Sequence, residues 1–521
     1  MIGAHAMSVR IGRGATIARS ASPSTTWPTT VAAASCVRLN RACGFSQAEA
    51  PDQIRYQPHP KRMQERKVYC SARGRVQLVD LASCGIQLGD CTSGTVEMIC
   101  PNRLSTMLRP PSVEQGHTLG SAGYRPTTVA LFAAGMTTFM ALYYVQALLP
   151  QLFDHFGISP TTSALAVSLT TGFLAVAIIP ASVLSERFGR VRVMVVPAVA
   201  ASLIGVVLPW SPTVEILLAG RALQGVLCAG VPAVAMAYLA EEVEGRSLGT
   251  AMGRYVVGTT IGGLAGRLIP GFAVDVVSWQ WALEIACLVS LGFAVVFART
   301  VPSARFFVPQ RVSPKVMLRN LLVHLWDPQL RRLFLLGFVL TGGFVTVYNF
   351  VGYRLLRPPF GLGEAVVALV FLMYLAGTFS SASAGPVADR VGRWPVLCAG
   401  ILVMLTGLAL TVPDRLPLVL IGMFLFPAGF CAAHSVASAR VSARATEHRA
   451  EASLYLFHYH MGSSVVGALG GLAFSMFGWV GVAGYVGMLV GVGLLAGFRC
   501  GERTRGRNPE RLITQSPDGP V

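Results

Sequence analysis

Arg221, Arg267 and Glu284 each sit inside a long apolar stretch, where a charged side chain is expensive unless it faces protein or water. Residues of this kind mark paths for protons, ions or charged ligands. Arg267 has two candidate counter-charges: an anionic group on a ligand, or an acid of a neighbouring stretch such as Glu284. His434, His458 and His460 are the histidines of the apolar stretches. Imidazole changes charge near neutral pH, which suits proton transfer, yet a buried histidine also serves as a neutral hydrogen-bonding group. No metal site is expected, because His458 and His460 point to different helix faces and no Cys or acid stands at ligand spacing. Tyr143, Tyr144 and Gln146, and later Tyr348 and Asn349, combine aromatic bodies with polar tips. That mixture suits a cavity for amphipathic organic molecules, although tyrosine is equally at home at a membrane interface.

The elements that must position these residues are apolar spans. The 521 residues are 53% hydrophobic and 13% charged, against about 25% charged in a soluble domain. Runs near the ~20 residues that cross a bilayer core fall at 128–149, 163–184, 192–210, 214–238, 250–272 and 280–298, then at 333–353, 365–387, 395–412, 417–438, 452–476 and 479–498. Twelve runs with so little charge between them predict an all-α membrane protein.

The net charge of +18 does not point to nucleic acid, because its placement follows topology. Arg187, Arg190 and Arg192 share one loop, and Arg299, Arg305, Arg311, Lys315, Arg319, Arg331 and Arg332 crowd the middle one. The alternate connections at 150–162, 209–215, 273–279 and 477–479 hold no Lys or Arg; Arg354, Arg357 and Arg415 are the exceptions on that side. By the positive-inside rule both ends of the hydrophobic region lie in the cytoplasm.

One phrase occurs twice. "LSERFGRVRVM" at 184–194 and "VADRVGRWPVL" at 387–397 place Gly189 and Gly392 203 residues apart. "YVVGTTIGGLAG" at 255–266 and "YHMGSSVVGALGG" at 459–471 repeat at an offset of 204, aligning Gly258 with Gly462 and Gly263 with Gly467. Two matches in one register imply two parallel copies of a six-helix unit. Gly258, Gly262 and Gly266 form a bare stripe in the fifth span; Ser463, Gly467 and Gly471 repeat it in the eleventh. Such stripes let helix backbones approach closely. Arg221 has no counterpart near Met423, and Arg267 falls one repeat from Gly471, so both cations are asymmetric features.

With these residues in view, the chain resembles the Major Facilitator Superfamily over roughly 126–500, and within it inner-membrane transport proteins of the drug-efflux side. Ser182, Glu186, Arg187, Gly189 and Arg190 resemble that superfamily's signature between helices 2 and 3, with Ser and Glu in place of Gly and Asp. Gly385, Asp389, Arg390, Gly392 and Arg393 match its second-half echo fully, and Arg221, Gln224 and Gly225 look like the helix 4 motif. The resemblance implies a gating cluster at each loop phrase, proton coupling at Arg221 through a carboxylate or water, and glycine-lined helices 5 and 11 between the halves that limit leakage. It also implies that helices 1 and 7 line the central cavity, where His458 and His460 join the candidate lining.

The expected organisation is an N-terminal extension over 1–125, six-helix halves at 126–299 and 332–499, an inter-half loop at 300–331 and a tail at 500–521. The extension carries Cys36, Cys43, Cys70, Cys84, Cys91 and Cys100 in no zinc-like spacing. Its acid-free, Arg- and Ser-rich start resembles a transit peptide. Met107 offers a simpler start, with the preceding residues outside the functional protein. The expected function is proton-coupled export of small organic molecules by alternating access, from the bacterial inner membrane, by a monomer that uses the proton gradient and no cofactor. Sugar or metabolite symport and a non-transporting receptor are the alternatives. No phosphate-binding loop, nucleophile elbow or metal cluster suggests an enzyme.

Overall fold

The computed structural model describes residues 116–307, 325–444 and 450–505, together with short strands between 7 and 99. The chain divides into two units, Met1–Glu114 and Gln115–Val521. In the first, β1 (Met7–Ser8), β4 (Gln87–Leu88) and β5 (Glu97–Ile99) form one sheet in the order β1-β5-β4. There β2 (Lys67–Ala72) and β3 (Arg75–Asp80) pair antiparallel, Lys67 opposite Asp80 and Ala72 opposite Arg75. The rest of the extension, Met107 included, lies outside the described residues.

The second unit is helical, and its twelve spans match the runs in the sequence. They are α1 Tyr124–Phe156, α2 Pro160–Phe188, α3 Arg190–Trp210, α4 Val214–Glu242, α5 Gly245–Ala273 and α6 Trp279–Thr300. After the inter-half loop follow α7 Pro328–Leu356, α8 Glu364–Val391, α9 Arg393–Leu410 and α10 Leu416–Arg444. A continuous helical stretch, Ala450–Arg505, turns back at Gly478, whose φ of 58° reverses the chain between α11 (450–477) and α12 (479–505). Helices are the natural solution in lipid, because every backbone N–H and C=O can be satisfied within the segment. Most run a turn or more beyond their apolar cores, since the polar ends stand clear of the hydrocarbon. The second half accordingly begins at Pro328 rather than 332.

The start of the second unit also differs from expectation. Residues 116–121, assigned to the extension, are held to the α4–α5 corner: His117 N donates to Glu242 O (2.7 Å), Glu244 N to His117 O (3.3 Å) and Leu119 N to Ser247 Oγ (3.1 Å).

Within the first half α1 packs on α5 and α6, and α2 on α4; in the second, α7 packs on α11 and α8 on α10. The halves meet where α2 touches α11 and α5 touches α8. Helices 5 and 11 thus both stand at the seam, but the α5 glycine stripe itself faces away from it. A Cβ on Gly262 would stand 2.6 Å from Met136 O, and one on Gly266 3.0 Å from Met140 Cα, both on α1; Gly258 faces Phe132 of α1. The stripe draws α5 onto α1 within one half. The α11 glycines divide: Gly462 faces Phe338 of α7, whereas Gly471 would meet Thr161 of α2 at 2.5 Å, across the seam.

Gly262→Ala pushes a methyl into α1 backbone, and overpacking of this kind costs about 1–3 kcal/mol. Gly253→Ala, with nothing within 4 Å, gains the ordinary helical preference of Ala. Thermal unfolding of the two variants in detergent should show a lowered Tm for the first and an equal or higher one for the second.

Candidate functional site

Two helices lose regular geometry at one depth of the bundle. The first segment of α1 ends at Tyr143, passes through a 3-10 turn at Gln146–Leu148 and resumes at Leu149. In α8 a 3-10 turn at Val370–Met373 separates Glu364–Leu369 from Tyr374–Val391. Irregular backbone at membrane depth is tolerated only where protein or a cavity satisfies it.

Arg221 is what satisfies the α1 break. Fully buried, it donates from Nε to Ala166 O (2.8 Å), from Nη1 to Ala141 O (2.8 Å) and from Nη2 to Leu142 O (2.7 Å). It also bonds Gln224 Oε1 and covers the Tyr144 ring at 4.8 Å. Gln224 Nε2 donates onward to Ala201 O on α3 (2.9 Å), and Gly225 admits the α2 backbone at Thr170. The "RALQG" motif therefore ties α1, α2, α3 and α4 together. The carboxylate partner expected for Arg221 is not found among the described residues; its partners are carbonyls.

Arg267 lies on the other side of the break and is held differently. It is 7% exposed and lies 4.1 Å from the Tyr143 ring centroid and 5.6 Å from that of Phe371. Nε donates to Gln146 Oε1 (2.6 Å) and Nη1 to Gly263 O (2.6 Å). Gln146 Nε2 in turn donates to Asn349 Oδ1 (2.6 Å). No described carboxylate pairs with Arg267. Glu284 is elsewhere, accepting from Trp210 Nε1 (3.2 Å), so the pair of Arg267 with Glu284 is not formed.

The amide orientations follow from one fact: a guanidinium only donates. Gln146 must turn its oxygen to Arg267, so its nitrogen faces Asn349, whose oxygen must accept. Asn349 Nδ2 is thereby left without an acceptor, and the Tyr348 hydroxyl is likewise buried and unpartnered. Gln146 and Asn349 are also 203 residues apart, the spacing of the repeated loop phrase. A residue can touch its own repeat equivalent only on the axis relating the two copies. The pair marks the pseudo-two-fold axis, and Arg267 breaks its symmetry.

Aromatic side chains from the second half complete the surroundings. Phe344 stacks on Phe430 (4.4 Å) and contacts Tyr348 (4.7 Å) and Tyr374 (5.7 Å). Tyr374 and Tyr459 stand half-buried within electrostatic reach of Arg267. His434 binds the Tyr455 hydroxyl through Nδ1 (2.9 Å) and packs on Tyr459. His460 is buried with Nδ1 unpartnered, while His458 Nδ1 donates to Leu454 O of its own helix (2.8 Å) and its ring stacks on Phe334. Tyr143, Gln146, Tyr348 and Asn349 thus come together around Arg267, and Tyr144 belongs to Arg221 instead. Phe371, Tyr374 and Tyr459 carried no sequence signal beyond being aromatic.

The ends of the bundle differ. At the Lys/Arg-poor end Gln151 Nε2 donates to Glu364 Oε1 (2.7 Å), Tyr353 OH to Leu149 O (2.8 Å) and Ala365 N to Asp275 Oδ2 (3.3 Å), all between the halves. The Ser463–Thr171 bond (3.3 Å), near the middle of α2, is the last such contact. From there to the Arg-rich end no hydrogen bond joins the halves among the described residues. Among the described residues, the hydrogen bonds between the halves thus run from the middle of the bundle to the Lys/Arg-poor end. Two of the three exceptions to the charge rule have partners at the Lys/Arg-poor end: Arg354 serves the carbonyls of Thr411, Val412 and Pro413 and pairs with Asp414 (3.0 Å), and Arg357 covers Phe153.

The two loop phrases are unlike in structure. Gly189 (φ 89°) and Gly392 (φ 97°) both make turns that other residues rarely adopt. In the first phrase Arg190 is the hub, pairing with Glu186 (2.7 Å) and Glu241 (2.8 Å), donating to Ser185 Oγ (2.6 Å) and covering Phe307. Arg187 is exposed and Ser182 bonds its own helix at Ile179 O. This cluster ties α2, α3 and α4 of one half. Asp389, Arg390 and Arg393 are exposed, and Gly385 has open space beside it.

Arg221→Ala orphans three buried carbonyls, each worth about 1–3 kcal/mol when left unsatisfied, and should lower Tm steeply in detergent. Arg267→Gln removes a buried charge that lacks a counter-charge, and its Tm should equal or exceed that of the parent. A comparable loss in both variants would remove the distinction drawn between them.

With the geometry in place, comparison with known proteins gives a consistent picture. Residues 131–383 match the Major Facilitator Superfamily. The chain is 39% identical over 381 residues to an uncharacterized transporter, YybF, of Bacillus subtilis (strain 168), covering 73% of this chain and 94% of that one. It is 40% identical over 385 residues to the inner membrane transport protein YnfM of Escherichia coli (strain K12), covering 74% and 92%. Among solved structures it is similar to a bacterial homolog of the human lysosomal transporter Spinster in an inward-facing, occupied conformation (TM-score 0.60, 15% identity, 74% and 98% covered). The nucleoside transporter NupG, solved as a point mutant, is similar in fold (TM-score 0.59, 14% identity, 72% and 99% covered). A repeated six-helix unit, a seam of α2 with α11 and α5 with α8, and two relatives matched nearly end to end place the chain in the Major Facilitator Superfamily, as a multi-pass membrane transporter.

Proposed function

We propose that the protein exports small organic molecules in exchange for protons, by alternating access around the site at Arg267. The observation that carries this reading is the cation and its amide chain on the axis between the halves, with the inter-half hydrogen bonds gathered towards one membrane face. A site on that axis is the one place that rocking of the halves presents to each side in turn. The Arg-rich face is assigned to the cytoplasm by the positive-inside rule, which puts both termini inside. Similarity to the inner membrane transport protein YnfM favours the bacterial inner membrane. One chain carries both halves and the whole site, which suits a monomer.

Exchange for protons requires titratable groups near the site. His434 and His460 are those groups, one bonded to Tyr455 and the other buried beside Tyr459. The α5 stripe supports the reading indirectly, by fixing the helix that carries Arg267 against the helix that carries Gln146.

Inverted membrane vesicles containing the protein, energised acid-inside, should lose part of their gradient on addition of a transported compound, while vesicles without the protein keep it. If transported compounds instead enter with protons moving in the same direction, the reading changes to symport. Flux that is indifferent to the gradient removes proton coupling.

A further inference from the structure

The polar groups around the axis do not balance. Arg267 has five N–H donors, of which the protein engages Nε and Nη1. No described acceptor takes a hydrogen bond from Nη2. Asn349 Nδ2, 1% exposed as a residue, has no acceptor, and the hydroxyl of Tyr348, 2% exposed, has no partner. A place with donors left over and a positive charge left over lacks one kind of group, an anionic acceptor.

We propose that the transported molecule is an organic monoanion, a carboxylate on an apolar or aromatic body, whose carboxylate is the counter-ion of Arg267. This deepens the proposed function and rests on its placing of the substrate at the axis. The charge count sets the valence. Arg221 is the other buried guanidinium near the break, but each of its three nitrogens is already engaged, four N–H groups going to carbonyls of α1 and α2 and to Gln224 Oε1. One free cation neutralises one negative charge, and a second charge on the ligand would enter the site unpaired, at a cost of several kcal/mol. The surroundings set the body. The Tyr143 and Phe371 rings flank the guanidinium, and Tyr374, Phe344 and Phe430 continue the aromatic wall. Small inorganic anions make no use of such a wall, whereas a planar hydrocarbon stacks on it.

The donor excess also excludes the neutral and cationic alternatives on the same ground. An amide would satisfy one or two of the open donors and leave the guanidinium uncompensated. An ammonium would add like charge beside Arg267. Carboxylates bind guanidinium through short, charge-assisted hydrogen bonds, so the preference should be large.

Purified full-length protein in detergent would be titrated with 2-naphthoate, 2-naphthamide and 2-naphthylmethylammonium, following the rise in Tm that binding to the folded state produces. The naphthoate is expected to stabilise the parent, with the other two at least tenfold weaker. In Arg267→Gln the naphthoate response should fall about 10- to 100-fold, while Arg267→Lys, which keeps the charge without the planar fork, retains part of it. Size-exclusion profiles and ligand-free Tm show whether each variant is folded; Gln146→Leu, which frees Asn349 and unseats the guanidinium, serves as a second probe and should also weaken naphthoate. The proposal is overturned if the amide binds as well as the carboxylate, if Arg267→Gln binds naphthoate like the parent, or if none of the three probes stabilises the parent. Vesicle assays separate the two readings: proton release by neutral compounds alone retains transport and removes the anion, whereas naphthoate binding without proton movement retains the anion site and removes antiport.

Discussion

One donor-only side chain organises the centre of this protein. Because Arg267 cannot accept a hydrogen bond, it dictates which way Gln146 turns, and Gln146 dictates which way Asn349 turns. A cation on one helix thereby sets the polarity of an amide chain that crosses from one half to the other. The chain runs through the pseudo-two-fold axis, where rocking of the halves moves atoms least. Relative motion of the halves would therefore disturb this amide chain least.

Arg221 makes that arrangement possible without touching it. The amide of Gln146 reaches the axis because α1 leaves helical geometry just before it. The released carbonyls would be costly in lipid, and Arg221 collects them together with one from α2. Two buried arginines a few residues from the same break thus have opposite characters. One is bonded at every nitrogen, mostly to backbone, and behaves as a rivet; the other leaves Nη2 open. Burial and charge alone do not separate them; the census of acceptors does.

Much of this was legible in the sequence, and the limits are instructive. Span count and repeat register could be read because lipid enforces apolar length and because glycines at 189 and 392 are required by backbone conformation. Tyr143, Gln146, Tyr348 and Asn349, which gather around Arg267, stood out because polar residues deep in spans are few. What a stripe faces was not legible: the α5 glycines describe a smooth helix surface, but only rotation about the helix axis decides that it meets α1 rather than α8. The partners of Arg221 were hidden for a related reason, since backbone carbonyls leave no mark in composition. Likewise Arg190 rather than Arg187 became the hub of the loop phrase because Glu241 arrives from a corner distant in sequence.

The bond between Gln146 and Asn349 has a consequence for how such a protein can arise. In a dimer of identical six-helix chains, anything placed beside the axis comes twice, and a cation there would face its own twin across a few ångströms of apolar medium. Repulsion at that distance is heavy, so a symmetric ancestor must keep its centre neutral or balance it with two ligand charges. Once the copies are joined in one chain, each position on the axis can drift from its partner. Gln can face Asn, and Arg267 can stand opposite a glycine, Gly471. Covalent linkage of the halves is thus what permits a transport site to carry an odd number of charges.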